Sequence, residues 1–467
     1  MDLIIKNGTI VTDSAILKSD IGITGEKIVT IAKNLKPDTK TEIIDVTGKY
    51  IIPGGIDVHT HFQLPVSGTV TSDDFYTGTK AAACGGVTTI IDFATQDKKK
   101  GMLYAIKRRM DEAKNKVCID YSLHCVIINW NDTTEAEMKD VIDFGIPTFK
   151  MFMIYKERGL RADDAMLFQG LEASKKFGSR IMVHAESESV MNLLIKRYSN
   201  IKGLGAYAHA LSRPNFIEEE AIQRAIKWTQ VTNSHLYIVH LSTGEGTDLV
   251  KLARAKGIDV IAETCPQYLL FTDDFFKDKK TGHLYATCPQ IKKRKDNIRL
   301  WNGLADGEIS VVATDTCTFT KKQKAMWQGD FTKIPFGLPG VETMVPVIYT
   351  YGVLKKRFGL NHFVSLVSTN PAKVMGLYPK KGTISKGSDA DLVIFDPKKK
   401  RRVDYRELAT NCDWSPYQGM ELAGFPDITI SRGKIIVRNG KFIGEAGWGK
   451  FLKRTPFVVR DLSRVAV

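Results

Sequence analysis

The chain has 467 residues, of which 43% are hydrophobic and 25% charged, and its formal net charge is +15. This length exceeds a single small core and favours one large globular domain with a smaller one. The lysine-rich runs 98–100, 292–295 and 398–402 carry no interleaved aromatic residues and no recognisable motif, so nucleic-acid binding is not expected, although an acidic substrate or partner stays open.

The first residues indicate a short strand. The apolar run 3–5 is too short for a signal peptide, and no window holds the 18 or so unbroken apolar residues of a membrane helix. The stretches 3–5, 9–11, 20–23, 27–29 and 42–45 are β-like and are separated by turn sequences such as Asn7-Gly8 and Thr47-Gly48. Residues 1–52 therefore predict a small β-region that cannot close a core alone.

From Pro53 onwards, apolar strands alternate with helical patterns, which is typical of parallel β/α architecture. Helix-like stretches include 103–115, 165–176, 218–231 and 246–255. Eight such units over about 260 residues predict a TIM (β/α)8 barrel over residues 53–375. The predicted strands are 56–61, 88–93, 118–127, 148–153, 180–184, 236–240, 259–263 and 309–315.

The last part of the chain, 376–467, returns to β-texture at 390–395, 428–433 and 434–440. We predict that these strands pair with the N-terminal ones, so that both chain ends build one smaller β-sandwich-like domain. The basic tail 449–467 has no clear fold of its own and is a candidate for packing on another subunit. The seven cysteines form no CxxC and no framework spacing, which predicts reduced thiols in a cytoplasmic protein.

The first barrel strand ends in His59-Thr60-His61. Because side chains alternate along a strand, His59 and His61 point the same way, as the imidazole ligands of a divalent metal such as zinc do. An isolated pair of this kind is more often a packed or surface pair than a metal site, so the other strand ends decide the question.

Five predicted strands carry residues that can bind a metal or take part in catalysis at or near their carboxyl ends, where a TIM barrel builds its active site. Lys150 lies inside an apolar strand and needs a partner or a chemical change unless it reaches the rim. Each histidine could be a satisfied core residue, and Asp315 could cap a helix, but the ensemble predicts a metal site. The candidates are His59, His61, Lys150, His184, His240 and Asp315.

Six candidate ligands favour two metal ions, since a single catalytic zinc usually takes three protein ligands. Two-metal sites hydrolyse substrates because metal lowers the pKa of bound water from about 15.7 to about 7. Asp315 could take the proton of that water and return it to a leaving nitrogen. The predicted reaction class is hydrolysis.

These residues resemble the dihydropyrimidinase/hydantoinase family of the amidohydrolase superfamily over essentially the whole chain. The segments that carry the resemblance are 54–61, 73–79, 149–153, 184–186, 330–335 and 387–392. The resemblance implies a zinc-dependent enzyme that opens a dihydropyrimidine or a 5-substituted hydantoin to an N-carbamoyl amino acid. It also implies a homotetramer, with a homodimer as the alternative.

The resemblance further implies a role for each site residue. Lys150 would be carboxylated to a carbamate bridging two Zn²⁺ ions. His59, His61 and Asp315 would hold the more buried ion, whereas His184 and His240 would hold the other. Tyr155, just after the fourth strand, would donate a hydrogen bond to the oxyanion of the tetrahedral intermediate.

Substrate contacts are implied at the backbones of Cys288 and Phe336. The chain departs from the family here, because relatives often carry serine and asparagine at these positions and Asn or His where this chain has Thr316. The chemistry is therefore predicted more firmly than the substrate.

The loops after the early strands should shape the pocket. Four apolar side chains suit an apolar ring substituent, although barrel-mouth packing is an equal alternative for each: Phe62, Leu64, Phe152 and Leu160. The nearby Lys156, Arg158 and Arg161 could instead favour an acidic substituent, and the sequence does not decide between them.

Three other functions are alternatives to this one. An allantoinase-like cyclic amidase fits the same ligands, whereas a dihydroorotase would be expected to carry an arginine soon after the histidine pair, where Phe62-Gln63-Leu64 offers none. A non-catalytic scaffold of this fold would lack several of the six ligands, and all six are present.

Overall fold

The computed structural model describes residues 1–457 and contains the predicted barrel. Its eight strands lie side by side in chain order in one parallel sheet. The ring closes between the first and last strands, where His61 N donates to Thr316 O at 2.8 Å and Thr60 pairs with Thr316. The strands are Gly55–Thr60, Val87–Thr95, Asp120–Val126, Thr148–Phe152, Arg180–His184, Leu236–Ile238, Val260–Thr264 and Val311–Val312.

Helices surround the barrel and bury their apolar faces against it. The predicted helices are confirmed, with ends that differ by at most three residues, because caps rather than periodicity set the ends: the Asp163 side chain accepts from Met166 N before the helix Asp164–Phe177. The α-helices up to the eighth strand are Phe75–Cys84, Gly101–Ala113, Thr134–Phe144, Asp164–Phe177, Glu188–Ser199, Tyr207–Leu211, Asn215–Thr232, Gly244–Ala255, Pro266–Leu270 and Arg294–Ala305. Those after it are Lys321–Lys324, Met344–Ile348, Leu360–Val364 and Asn370–Val374.

Both chain ends build the smaller domain, as predicted. A seven-stranded sheet joins Leu392–Arg402 antiparallel to Tyr50–Pro53, with Leu392 opposite Pro53. Its strands, in spatial order, are Lys441–Phe442, Lys434–Arg438, Glu421–Ser431, Leu392–Arg402, Tyr50–Pro53, Thr9–Val11 and Ile16–Lys18. A second sheet contains, in order, Lys27–Ala32, Asp20–Thr24, Leu3–Lys6 and Glu42–Asp45. One apolar cluster includes Ile21 of the second sheet and Ile430 of the first, so the two sheets share a core.

The basic tail packs on its own barrel as far as Phe457. Leu452 N donates to Tyr121 O at 2.7 Å, and the buried Arg454 donates to Thr148 Oγ1 at 2.7 Å. Residues 449–457 contain no helix or strand of their own, as predicted, but they pack on the third and fourth barrel strands, where Arg454 finds its acceptors. Residues 458–467 of the predicted tail lie outside the described residues.

All seven cysteines are free thiols, as predicted. Within residues 1–457, no helix is long and apolar enough to cross a membrane.

Candidate metal centre

His59 and His61 converge on Asp315 across the seam where the barrel closes. Their Nε2 atoms lie 3.3 and 3.1 Å from Asp315 Oδ1, and their ring centroids are 5.1 Å apart. Glu263 binds Nδ1 of His59, which fixes the ring so that Nε2 faces Asp315. The three side chains form a group of potential ligand atoms within 4.8 Å of one another.

Asp315 is prepared for this role by its backbone and its charge. Its φ of +51° lies in the left-handed region, which non-glycine residues occupy at a cost of about 1–3 kcal/mol and mostly at functional sites. Burial raises the pKa of Asp315, but the imidazoles of His59 and His61 more than offset that effect and hold it below its ordinary value. The carboxylate is therefore ionised at neutral pH.

His184, at the end of the fifth strand, and His240, two residues after the sixth, complete the imidazole cluster. Their ring centroids are 4.6 Å apart, and His240 lies 5.4 Å from His59. Burial lowers the pKa of both imidazoles, so both are neutral and able to bind a metal. His240 also takes a left-handed φ of +38°.

One imidazole nitrogen supports the fit of a metal. His240 Nδ1 is buried and has no hydrogen-bond partner within residues 1–457. A buried polar atom without a partner is unfavourable by about 1–3 kcal/mol, so the ring gains from a ligand that the protein itself does not supply. The donor set of imidazoles and a carboxylate suits zinc.

Lys150 lies among these groups with only 1% of its surface exposed. Its Nζ is 5.1 Å from the ring centroid of Phe152 and 5.7 Å from that of Phe93. Burial lowers the pKa of the amine to about 8. A substantial fraction is therefore uncharged near neutral pH, which is the form that reacts with carbon dioxide.

Buried charged residues behind the candidate ligands orient them, and the sequence patterns did not predict this role. Glu263 accepts from Tyr237 OH at 2.7 Å and from His240 N at 3.0 Å. It is the last residue of the predicted strand 259–263, and an acid at that position could have indicated a functional role. Burial raises its pKa to about 7. Asp57, two residues before His59 on the same face, accepts from Thr314 N at 3.1 Å.

Glu186 and Arg213 hold His184 in a similar way. Glu186 Oε2 lies 2.7 Å from His184 Nε2, and Arg213 Nη1 donates to both Glu186 oxygens at 2.9 and 2.8 Å. His184, Glu186 and Cys288 also form a group of potential ligand atoms. The ion pair with Arg213 engages both oxygens of Glu186, which favours an orienting role for this carboxylate over a ligand role.

The residues predicted to contact the substrate surround this ion pair. Cys288 Sγ is 3.1 Å from Arg213 Nη1 and 3.2 Å from Glu186 Oε2, and the guanidinium lies 5.6 Å from the Phe336 ring centroid. Tyr155 has a left-handed φ of +73°, and its ring centroid is 5.6 Å from that of His184. Burial raises the pKa of Tyr155, which keeps its phenol proton available for donation.

The four apolar loop residues divide into two groups. Leu64, Phe152 and Leu160 are half-buried, and the Phe152 ring centroid lies 5.8 Å from that of His184. Phe62 is fully buried and packs on Phe75, 6.4 Å between centroids. Its placement matches the alternative of core packing, because the alternation after His61 turns its side chain away from the metal centre.

Known proteins resemble the chain over nearly its whole length. The profile of the Amidohydrolase family matches residues 50–436. A D-hydantoinase of Geobacillus stearothermophilus is 42% identical over 98% of this chain and 97% of its own. A solved dihydropyrimidinase from Brevibacillus agri NCHU1002 superposes with a TM-score of 0.96 at 40% identity, covering 98% of this chain and 100% of its own. A solved L-hydantoinase (dihydropyrimidinase) from Arthrobacter aurescens superposes with a TM-score of 0.89 at 31% identity, covering 97% of this chain and 100% of its own.

Proposed function

Because the chain belongs to the amidohydrolase family, we propose that it is a metal-dependent hydrolase of cyclic amides, which opens a dihydropyrimidine or a 5-substituted hydantoin to an N-carbamoyl amino acid. The observation that carries this proposal is the convergence of His59, His61, His184, His240, Lys150 and Asp315 at one end of the barrel. The similarity to D-hydantoinases and a dihydropyrimidinase supports the same reaction.

We propose that the residues hold two zinc ions. His59, His61 and Asp315 would bind one ion and His184 and His240 the other, with carboxylated Lys150 bridging them. The uncharged amine of Lys150, whose pKa burial lowers to about 8, is the nucleophile that carboxylation requires. Carboxylation would also replace a buried cation with an anionic ligand, which removes the unfavourable burial of an ammonium ion.

When bound, the metal supplies Lewis-acid polarisation of the scissile carbonyl and a water of lowered pKa. Asp315 accepts the proton of the attacking water and delivers it to the leaving ring nitrogen, since its carboxylate is ionised at neutral pH. The phenol of Tyr155 stays protonated and donates to the oxygen that becomes negative.

The backbones at Cys288 and Phe336 would hold the ring through its amide groups. The half-buried Leu64, Phe152 and Leu160 would pack on the ring substituent, which favours an apolar one. We infer a preference for the D form of 5-substituted hydantoins, because the chain is 42% identical to a D-hydantoinase and 31% identical to the L-hydantoinase.

A substrate panel tests the proposal. Zinc-loaded protein, supplied with bicarbonate, is assayed on dihydrouracil, dihydrothymine, D- and L-5-substituted hydantoins and allantoin. We expect His59→Ala to lose ring opening, whereas His362→Ala, which removes a half-buried histidine bonded to Leu304 O on the outer helices, should retain it. Failure on every ring except allantoin would favour the allantoinase-like alternative. A clean preparation without zinc and without turnover would favour the scaffold.

Family resemblance and the free cysteines also lead us to propose a cytoplasmic homotetramer. Sedimentation equilibrium measures the subunit number directly. A mass of one or two subunits at micromolar concentration would contradict the tetramer without affecting the proposed reaction.

A further inference from the structure

Lys324 is a fully buried lysine whose partners are backbone carbonyls. It ends the short helix Lys321–Lys324 and has 0% of its surface exposed. Its Nζ donates to Pro335 O at 2.7 Å and to Ala286 O at 3.1 Å. Buried lysines usually pair with carboxylates, so a lysine that bonds two carbonyls from distant loops is unusual.

These two carbonyls belong to the two segments that would hold the substrate ring. Ala286 lies two residues before Cys288, and Pro335 lies directly before Phe336. One amine therefore bonds both substrate segments, which are separated by almost fifty residues in the chain. The distance between the backbone groups that hold the ring depends on this link.

Two further contacts join the same segments. Gly337 N donates to Ala286 O at 2.9 Å, so that oxygen accepts from both Gly337 and Lys324. The ring of His209 donates to Thr287 O at 2.8 Å and stacks on Phe336, with 4.6 Å between ring centroids. The segments 286–288 and 335–337 thus form one unit, to which Lys324 and His209 each supply a side-chain tie.

We propose that Lys324 is a positioning residue that sets the spacing of segments 286–288 and 335–337 and thereby the size of ring that the pocket accepts. The inference rests on the proposed function, because the spacing matters only if these segments hold a cyclic amide. Loss of the tie should shift one segment against the other. A misplacement of about 1 Å at a reacting substrate can lower the rate about 100-fold.

Lys324→Met tests the tie, since methionine has a similar length and no donor. We expect the KM for dihydrouracil and hydantoin to rise about 10–100-fold, with zinc content unchanged. The ratio of kcat/KM for the six-membered ring to that for the five-membered ring should also change. Lys324→Gln keeps two N–H donors without charge, and we expect it to recover a large part of the loss.

Lys6→Met is the control. Lys6 lies half-buried in the smaller domain, and its Nζ donates to the backbone carbonyl of Leu35 at 3.2 Å. The substitution removes a lysine that bonds a backbone carbonyl outside the barrel, so KM and the ring preference should stay as in the wild type.

A KM and a ring preference equal to those of the wild type in Lys324→Met would overturn the inference, and so would an equal change in Lys6→Met. If Lys324→Met does not fold, Lys324→Gln carries the test: an altered ring preference supports the tie, and an unaltered one overturns it. Wild-type protein that opens neither ring would refute the proposed function, and the inference would fail with it. Turnover by the wild type with no change in the variants would refute the inference alone.

Discussion

Glu263→Gln should weaken metal binding while leaving the fold intact. The buried carboxylate bonds His59 Nδ1 and accepts from Tyr237 OH at 2.7 Å and His240 N at 3.0 Å. Glutamine keeps one acceptor oxygen and replaces the other with an N–H donor, which would face one or more of the donor groups of His59, Tyr237 and His240. A hydrogen bond to a charged group contributes about 1.5–3 kcal/mol, and 1.36 kcal/mol corresponds to a factor of ten. We therefore expect metal affinity to fall about 10–100-fold, as is typical when an orienting carboxylate is removed.

Competition with a chromophoric chelator measures the zinc affinity of wild type and variant, and circular dichroism follows their melting. Glu342→Gln is the control, because Glu342 bonds Ala409 N at 2.7 Å and contacts none of the six candidate ligands by hydrogen bond or ion pair. Affinity within threefold of the wild type in Glu263→Gln, or an equal loss in the control, would refute the orienting role of Glu263.

Three further predictions follow from buried charges. Lys150→Ala should lose ring opening, and a short carboxylic acid added with zinc should restore part of it if it takes the place of the proposed carbamate; turnover with and without acetate measures this. Arg213→Lys should lower kcat/KM about tenfold or more, because the shorter lysine would not bring its ammonium to the position from which Nη1 contacts both Glu186 oxygens and Cys288 Sγ, and because it lacks the planar group that lies 5.6 Å from the Phe336 ring centroid. Steady-state kinetics test this beside Arg180→Lys, which removes a buried guanidinium at the amino end of the strand that carries His184. Burial raises the pKa of Glu342 from 4.5 to about 8, so between these pH values the folded state keeps a proton that the unfolded state releases. The free energy of unfolding should therefore fall as the pH rises from 5 to 8, by up to about 1.4 kcal/mol per pH unit. Glu342→Gln should flatten that slope in urea titrations, and an equal slope in wild type and variant would contradict the assignment.

The barrel was predictable because its strands are apolar and recur with helices between them, but the strand ends were not. The sixth strand was predicted as 236–240 and ends at Ile238, and the eighth was predicted as 309–315 and contains only Val311–Val312. His240 and Asp315 take left-handed φ angles, which interrupt the extended backbone just where the candidate ligands stand. Periodicity predicts a strand but carries no signal for such strain.

The candidate ligands could be found from sequence because they share one rim of the barrel. The residues that hold them were harder to find. Arg213 follows a five-residue helix, has no periodic pattern around it, and meets Glu186 from 27 positions away. For Phe62 the position next to His61 left pocket lining and packing as equal alternatives, and the buried side chain packs on Phe75.

The loop after the fourth strand joins substrate choice to catalysis. Arg161 Nη1 donates to Glu188 Oε2 at 2.9 Å, and Lys156 N donates to Glu188 Oε1 at 2.6 Å, so one carboxylate both balances a cation and anchors the loop. The Arg158 guanidinium lies 4.6 Å from the ring centroid of Tyr155. Arg161 is therefore paired and Arg158 lies over an aromatic ring, which leaves the exposed Lys156 as the loop cation that an acidic ring substituent would meet. Tyr155 belongs to the same anchored loop, so a substitution there that alters substrate choice should also move the phenol for which we propose a role in the reaction.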